Sequence, residues 1–362
     1  MQIIIDSHED LAWNMATFQR DYSRSAFETR RTEQNTYVPL VNGDTLLGFP
    51  EYLAGNIGVI FGTLFASPIR KNKGTWDTQS YLDRNHANKI YRNQLDLYYR
   101  LVEEHSEEFI LVRSKHDLNT VLSSWENPSL DDSQPKVGIV ILMEGAEAIQ
   151  NEDDIEEWWN SGVRVIGPAW AGTVFCGGTR EPGALTKEGF RLLSKMNDCG
   201  FVLDISHMDE TAVMQALDFY PGTIIASHSN ASAVIKAYSG NRHLSDMTIL
   251  RLLERDSTIG IIPYNVFLDY DWHKGDDRRL ISLEKVVDQI DYICQLAGDS
   301  KHVGIGTDFD GGFGLQATPT ELDSIADLQK LSKLLSDRGY DGGNVADILG
   351  KNWQRMLEYN LP

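Results

Sequence analysis

Two short apolar runs in this sequence lead into the same dipeptide. Phe201–Ile205 passes through Ser206 into His207, and Thr223–Ala226 passes through Ser227 into His228. A single histidine in such a context is most simply a satisfied, partly buried side chain. Two of them after consecutive runs are harder to read that way. His8 stands two residues before Asp10, directly after Ile3–Ile5. If that run is a strand that continues, the two side chains share a face. An imidazole nitrogen and a carboxylate oxygen together suit a zinc-like divalent cation, although an isolated His-x-Asp is as readily a hydrogen-bonded pair on a loop. Two further carboxylates follow apolar runs. Glu144 comes after Val137–Met143, with Gly145 next to allow a sharp turn. Asp308 comes after Val303–Ile305, within Gly306-Thr307-Asp308-Phe309-Asp310-Gly311. Asp310-Gly311 reads as a turn, which leaves Asp308 nearer the strand.

The elements that must deliver these residues are legible as eight apolar runs: Ile3–Ile5, Ile57–Phe65, Val137–Met143, Val163–Ile166, Phe201–Ile205, Thr223–Ala226, Ile259–Ile262 and Val303–Ile305. Each is short, rich in Ile and Val, and apolar on both faces, as in parallel strands buried on both sides. Helical stripes separate most of them: Tyr91, Leu95, Tyr98 and Leu101, then Val213, Ala216, Leu217 and Tyr220, then Ile249, Leu252 and Leu253 behind an N-cap at Ser245. The tail carries Val345, Ile348, Leu349, Trp353 and Met356 on one stripe. Strand and helix alternating eight times predict an α/β fold, a (β/α)₈ TIM-like barrel with insertions, above a doubly wound open sheet. Residues 12–55 are polar and turn-rich and read as an excursion after strand one. Residues 66–136 read as a helical stretch and a loop. No linker, repeat or low-complexity segment divides the chain, so residues 1–362 are expected to form a single barrel domain.

In such a barrel the C-terminal strand ends form one mouth. His8, Asp10, Glu144, His207, His228 and Asp308 then converge from strands one, three, five, six and eight. Four or five of them could hold two divalent ions, with Glu144 as the bridge. His86, His105, His116, His273 and His302 have no strand-end partner and read as ordinary polar residues.

Composition bounds the function class. The 33 basic and 53 acidic residues give a net charge of −20, and no basic stripe is visible. That excludes nucleic acid as an expected partner and makes an anionic membrane an equally poor one. Cys176, Cys199 and Cys294 are too few and too scattered for a disulfide framework or a thiolate zinc site. The opening MQIIIDSHED has neither the basic nor the long apolar part of a secretory signal, and no stretch of about 20 apolar residues follows. The cytoplasm is the expected compartment.

The motifs Asp6-Ser7-His8-Glu9-Asp10-Leu11-Ala12-Trp13, Glu144-Gly145, Asp204-Ile205-Ser206-His207, Ala226-Ser227-His228-Ser229 and Gly306-Thr307-Asp308-Phe309-Asp310-Gly311 occur in the order of the renal (membrane) dipeptidase family, the M19 metallopeptidases. The sequence resembles that family from residue 3 to about residue 358. Arg242 stands where the family has an arginine between the sixth-strand histidine and a Leu-Ser-Asp helix start.

The resemblance implies a TIM-like barrel of the metal-dependent hydrolase type with a centre of two zinc ions, or another divalent pair. His8 and Asp10 would hold one ion, His207 and His228 the other, and Glu144 would bridge them. A hydroxide between the metals would attack the peptide bond of a dipeptide, including one with a D-residue at its C-terminal position. Asp308 matches the acid that positions the nucleophile and moves a proton to the leaving amine. Arg242 would hold the substrate's terminal carboxylate, and Tyr264 matches a tyrosine lining the site. Members are often dimers, so a homodimer is the oligomer the resemblance implies; no interface is legible in the sequence.

One departure bears on substrate. Members of the mammalian type carry a substrate-contacting histidine after strand four. Here the stretch is Ile166-Gly167-Pro168-Ala169-Trp170-Ala171, with Trp170 at that position, a version bacterial members resemble. His243 follows the arginine where asparagine is usual; a hydrogen bond near the carboxylate pocket and a surface role are equally compatible with the sequence. Three other readings stay open. One is an amidohydrolase-like barrel acting on another small amide or a lactone, where many members bridge their metals with a carboxylated lysine. The second is a metal-holding binder without turnover, in which Asp308 could be lost at no cost. The third is a metal-free structural barrel.

Overall fold

All eight apolar runs become parallel strands in the computed structural model, which describes residues 2–126, 134–235 and 238–362. The barrel strands are β1 (Ile4–Glu9), β2 (Ile57–Phe65), β3 (Val137–Glu144), β4 (Val163–Gly167), β5 (Val202–Asp204), β6 (Ile224–Ile225), β7 (Ile259–Ile261) and β8 (Val303–Ile305). Each pairs with its sequence neighbour, and β8 returns to β1 through Asp6 and Ile305. Between β6 and β7 the ring closes through a parallel bridge, Ala226 to Ile259. There Ala226 N–H donates to Thr258 O (3.1 Å) and Gly260 N–H to Ala226 O (2.8 Å).

The doubly apolar strands divide their side chains between two cores. Ile5, Val59, Phe61, Val140, Leu142 and Val165 pack in one cluster with Trp353 and Met356 of the C-terminal helix. The intervening Ile4, Ile60, Ile139, Ile141 and Ile166 join the cluster formed with the surrounding helices. The tail stripe is buried as its spacing requires, and Trp353 Nε1 donates to Ile305 O at 3.0 Å. Gly304 makes room for that indole, since a Cβ there would lie 2.3 Å from Trp353 Nε1.

The stretch after β2 holds more than a helix and a loop. A short pair joins Ser67–Pro68 to Ser80–Tyr81, helix Arg84–Glu104 follows, and a further strand, Phe109–Leu111, pairs with Val137–Ile139 at the start of β3. Helix Lys115–Glu126 completes it, and residues 127–133 of the expected loop lie outside the described residues. The excursion after β1 is also more ordered than a polar, turn-rich stretch suggests. It forms helices Leu11–Phe18, Ala26–Glu33, Val38–Val41 and Phe49–Gly55. One side chain of the loop after β8 gathers three of the excursion's residues: Asp310 Oδ2 accepts from Arg20 (2.9 Å), Tyr22 (2.6 Å) and Thr45 (2.7 Å). Asp310 does turn the chain, at φ +64°, but its carboxylate is fully buried and works as an anchor. Among the described residues no helix is long and apolar enough to cross a membrane.

Candidate active site

The strand ends gather the expected residues at one mouth. β1 continues past its apolar start to Glu9, so His8 lies within the strand. Against β2 it advances from Asp6 to Glu9 while its partner advances only from Ile60 to Gly62. That extra residue is a bulge beside His8, a device that re-aims side chains next to functional sites. Glu144 is the last residue of β3. His207 and His228 each stand three residues beyond their strands, as does Asp308 beyond β8. His207 and Asp308 adopt φ of +67° and +57°, left-handed conformations that non-glycine residues hold only where the surroundings over-determine them. Asp308 N–H donates to His8 O at 3.0 Å and Gly311 N–H to Asp308 O at 3.0 Å, which fixes that turn.

Glu144 is the centre of the cluster. Its Oε1 lies 3.0 Å from His207 Nε2 and 3.4 Å from His228 Nε2, and its Oε2 lies 3.8 Å from His8 Nε2. His8 Nε2 is in turn 3.8 Å from Asp10 Oδ2 and 3.9 Å from Asp308 Oδ1. Two groups with metal-ligand geometry follow, Glu144 with His207 and His228, and Glu144 with His8 and Asp10. Among the described residues the remaining such group is His8, Asp204 and His228. Asp204, however, has its oxygens engaged: Oδ1 accepts from Ser206 N–H (3.0 Å) and Ser227 N–H (2.9 Å), and Oδ2 from Ser227 Oγ (2.5 Å). It orients other groups and has little left for an ion.

That backing network determines which imidazole nitrogens are bare. Ser227 has one hydroxyl proton and gives it to Asp204, so its oxygen must accept from the ring nitrogens beside it. His228 Nδ1 lies 2.8 Å away and His8 Nδ1 3.3 Å away. Both rings therefore carry their proton on Nδ1 and present Nε2 as a lone pair. His207 Nδ1 is likewise 2.9 Å from Thr179 Oγ1. Asp10 is held from behind by Thr63, whose hydroxyl donates to Oδ1 at 2.6 Å.

A divalent metal fits this donor set. His8 Nε2 is buried and has no hydrogen-bond partner. His207 and His228 face each other Nε2 to Nε2 at 2.9 Å, with the bare Nε2 of His228 turned toward its neighbour and a carboxylate oxygen beside them. A cation placed among them would engage all three atoms at once. Burial, with the Arg242 charge behind it, pushes all three histidines well below the usual range, and neighbouring imidazoles add to this at His207 and His228, so they stay neutral as metal ligands must. Burial and then the neighbouring carboxylates push Glu144 and Asp308 well above theirs. Asp10 is raised by burial, partly offset by the Thr63 hydrogen bond. A bound cation would reverse these carboxyl shifts.

The other expected residues line a cavity of about 450 Å³ over this cluster, within the size range of small-molecule sites. Arg242 is buried, donates to Ser229 Oγ (3.0 Å) and His228 O (2.8 Å), and leaves Nε without a partner. Tyr264 stacks on Phe313 with ring centroids 4.1 Å apart, and burial pushes its phenol up to about 12. Trp170 packs edge-on against Phe65 at 5.2 Å and lies 6.2 Å from the His207 ring. It borders the cluster and belongs to none of the candidate metal groups. His243 is not at the surface: its ring is buried between Tyr238 and Phe267, each 4.7 Å away. Asp204 and Ser227 fall inside the motifs that carry the resemblance but had no role assigned there, and Thr63 and Thr179 were not singled out by the residue pattern. The Asp-x-Ser-His spacing before His207 is the one signal that could have found Asp204.

The family model for membrane dipeptidases (peptidase family M19) matches residues 1–360. An uncharacterized protein from the pqqA 5′ region of Klebsiella pneumoniae is 30% identical over 61% of this chain and 82% of its own length. Dipeptidase aclJ of Aspergillus oryzae is 23% identical over 98% of this chain and 77% of its own. Among solved structures, a metallopeptidase from Rhodobacter sphaeroides liganded with a phosphinate mimic of the dipeptide L-Ala-D-Ala superposes with a TM-score of 0.76, at 22% identity, over 99% of this chain and 100% of that one. The probable dipeptidase PvdM of Pseudomonas aeruginosa gives a TM-score of 0.77 at 18% identity over 99% and 95%.

Proposed function

The chain belongs to the membrane dipeptidase family, peptidase family M19, and on that premise we propose that it hydrolyses the peptide bond of dipeptides with the help of two divalent ions, zinc in the first instance. His8 and Asp10 would hold one ion, His207 and His228 the other, and Glu144 both. The observation that carries this reading is the splayed Glu144 carboxylate, with Oε1 beside His207 and His228 and Oε2 toward His8. A bound divalent pair supplies Lewis acidity and a water acidified toward neutrality.

The remaining work falls to the chain's own residues. Arg242, buried and short of one partner, binds the substrate's terminal carboxylate, because a guanidinium fork matches a carboxylate in two bonds. Asp308, whose Oδ1 faces the cluster, accepts a proton from the attacking water and returns it to the leaving amine. Its raised proton affinity suits that shuttle. Trp170 and Tyr264 border the substrate cavity and shape which side chains enter. The phosphinate mimic bound by the Rhodobacter relative supports a range that includes a D-residue at the C-terminal position.

The test is elemental analysis of reconstituted protein, joined to a panel of L,L and L,D dipeptides assayed before and after chelation. About two metal equivalents per chain, with turnover lost on chelation and restored on re-addition, is the expected result. Metal content that never rises above trace would overturn the reading.

A further inference from the structure

The loop after β4 carries a second guanidinium into the same cavity. It is a tight and well-fastened turn. Gly178 bridges both Glu181 and Met208, and a Cβ on Gly177 would lie 2.1 Å from Gly183 N. Arg180 sits within it at φ +61°, a left-handed conformation that arginine rarely adopts. Its N–H donates to Asn241 Oδ1 at 2.9 Å, and Asn241 Nδ2 donates to Gly178 O and Asp209 Oδ2, both at 2.9 Å. Arg180 is thus stitched to the residue beside Arg242, while Thr179 just before it holds His207.

Arg180 is exposed to solvent, lines the cavity with its side chain and, among the described residues, makes no ion pair or side-chain hydrogen bond. Its neighbour Glu181 is already engaged by Arg70 (2.7 Å) and Lys71 (3.0 Å). The nearby wall is aromatic, with Tyr264 stacked on Phe313 and set edge-on to Phe267, and the Tyr264 phenol feels the Arg180 charge. Arg242 and Arg180 therefore stand on one side of the cavity. A dipeptide with a neutral second residue brings one carboxylate to that side; a dicarboxylic second residue brings two.

Resting on the dipeptidase reading, we propose that Arg180 is a specificity residue that binds an acidic side chain on the substrate's C-terminal residue, so that the favoured substrates are dipeptides ending in aspartate or glutamate. A charge-assisted hydrogen bond inside a cavity favours such substrates by roughly ten- to hundredfold over their amide isosteres.

The experiment compares kcat/KM for Ala-Asp and Ala-Glu with Ala-Asn and Ala-Gln on the metal-loaded protein, with L and D second residues. The acid-to-amide ratio is expected to be roughly ten to one hundred. Arg180→Asn, which suits the left-handed backbone, is expected to bring the ratio toward one. Arg180→Glu is expected to shift preference toward a basic second residue, which a merely structural role would not do. Lys73, which also lines the cavity, beside Gly312, gives the control. If Lys73→Gln lowers the ratio as much as Arg180→Asn, overall cavity charge reads the acid and the proposal is overturned. Hydrolysis of neutral and acidic dipeptides at equal rates overturns this inference alone. Hydrolysis of no dipeptide at all removes the dipeptidase reading and this inference with it.

Discussion

Ser227 gives its hydroxyl proton to Asp204 across 2.5 Å and thereby turns its oxygen toward the Nδ1 atoms of His228 and His8. One serine thus sets the tautomer of an imidazole in each half of the candidate centre. Groups that orient ligands in this way typically control metal affinity by about ten- to hundredfold. Ser227→Ala is expected to weaken metal retention by that order in competition with a chelator, while most turnover returns at saturating metal. Unchanged affinity would show that packing alone holds the two rings.

Arg242 offers the complementary test on the substrate side. Arg242→Ala removes the fork but leaves every candidate ligand in place. KM for dipeptides with a free C-terminal carboxylate should rise by roughly tenfold or more, since a charge-assisted pair is lost. KM for the matching dipeptide amide should move much less. An equal response of the two substrates would assign Arg242 to holding His228 O and Ser229 Oγ in place.

A Cβ on Gly311 would stand 2.2 Å from Asp308 Oδ1 and 2.8 Å from Asp10 Oδ2. No real carbon approaches so closely, so Gly311→Ala must displace one or both carboxylates. A misplacement of about 1 Å at a reacting group costs on the order of a hundredfold in rate. The variant should show that loss in kcat together with a modest fall in Tm, because the added carbon also meets the Asp308 backbone oxygen at 2.8 Å. A large fall in Tm with normal specific activity would place the strain in the fold.

The barrel was legible because burial on both faces leaves strands few residue types to use. The runs from 57 to 65 and from 303 to 305 match their strands residue for residue. β1 was read too short because its last four residues are Asp6, Ser7, His8 and Glu9, polar side chains buried for chemistry and hydrogen bonding. Strand Phe109–Leu111 was missed because three residues carry no period. The candidate ligands were legible because they sit at strand ends. Their supports were not, because Thr63 reaches Asp10, Thr179 reaches His207, and Ser227 reaches Asp204 and His8, all partners distant in sequence. Asp310 shows the same limit. Asp-Gly correctly announces a turn, but nothing local announces that Arg20, Tyr22 and Thr45 arrive at its carboxylate.

That anchor predicts a stability effect separable from chemistry. Asp310→Ala leaves the Arg20 guanidinium, itself buried and also paired with Glu33, with one acid fewer and strands the Tyr22 and Thr45 hydroxyls. Breaking a buried charge pair from one side typically costs about 3–5 kcal/mol. A lowered denaturation midpoint, with protease cleavage appearing within residues 12–55, is the expected outcome. A variant as stable as the parent, with that segment still protected, would show that the helices of the excursion dock without the anchor.

Asp308→Asn separates turnover from binding most sharply. The change keeps the shape at the end of β8 and removes the negative charge and the capacity to carry a proton. If Asp308 moves the proton to the leaving amine, kcat should fall by roughly a hundred- to ten-thousandfold, as for loss of a general acid or base. The five candidate ligands are untouched, so metal content should be mostly retained, and dipeptide should still bind through Arg242. The neighbouring Asp10 bears on the reading of the result. Burial and the Asp10 charge hold Asp308 well above the usual carboxylate range, with Arg242 opposing them. Asparagine would relieve that repulsion, so any loss of turnover would occur without a repelled carboxylate at this position. Near-normal kcat would remove Asp308 from the mechanism. Loss of both metals would make it a ligand, and would move the search for the proton carrier to the remaining groups at the mouth.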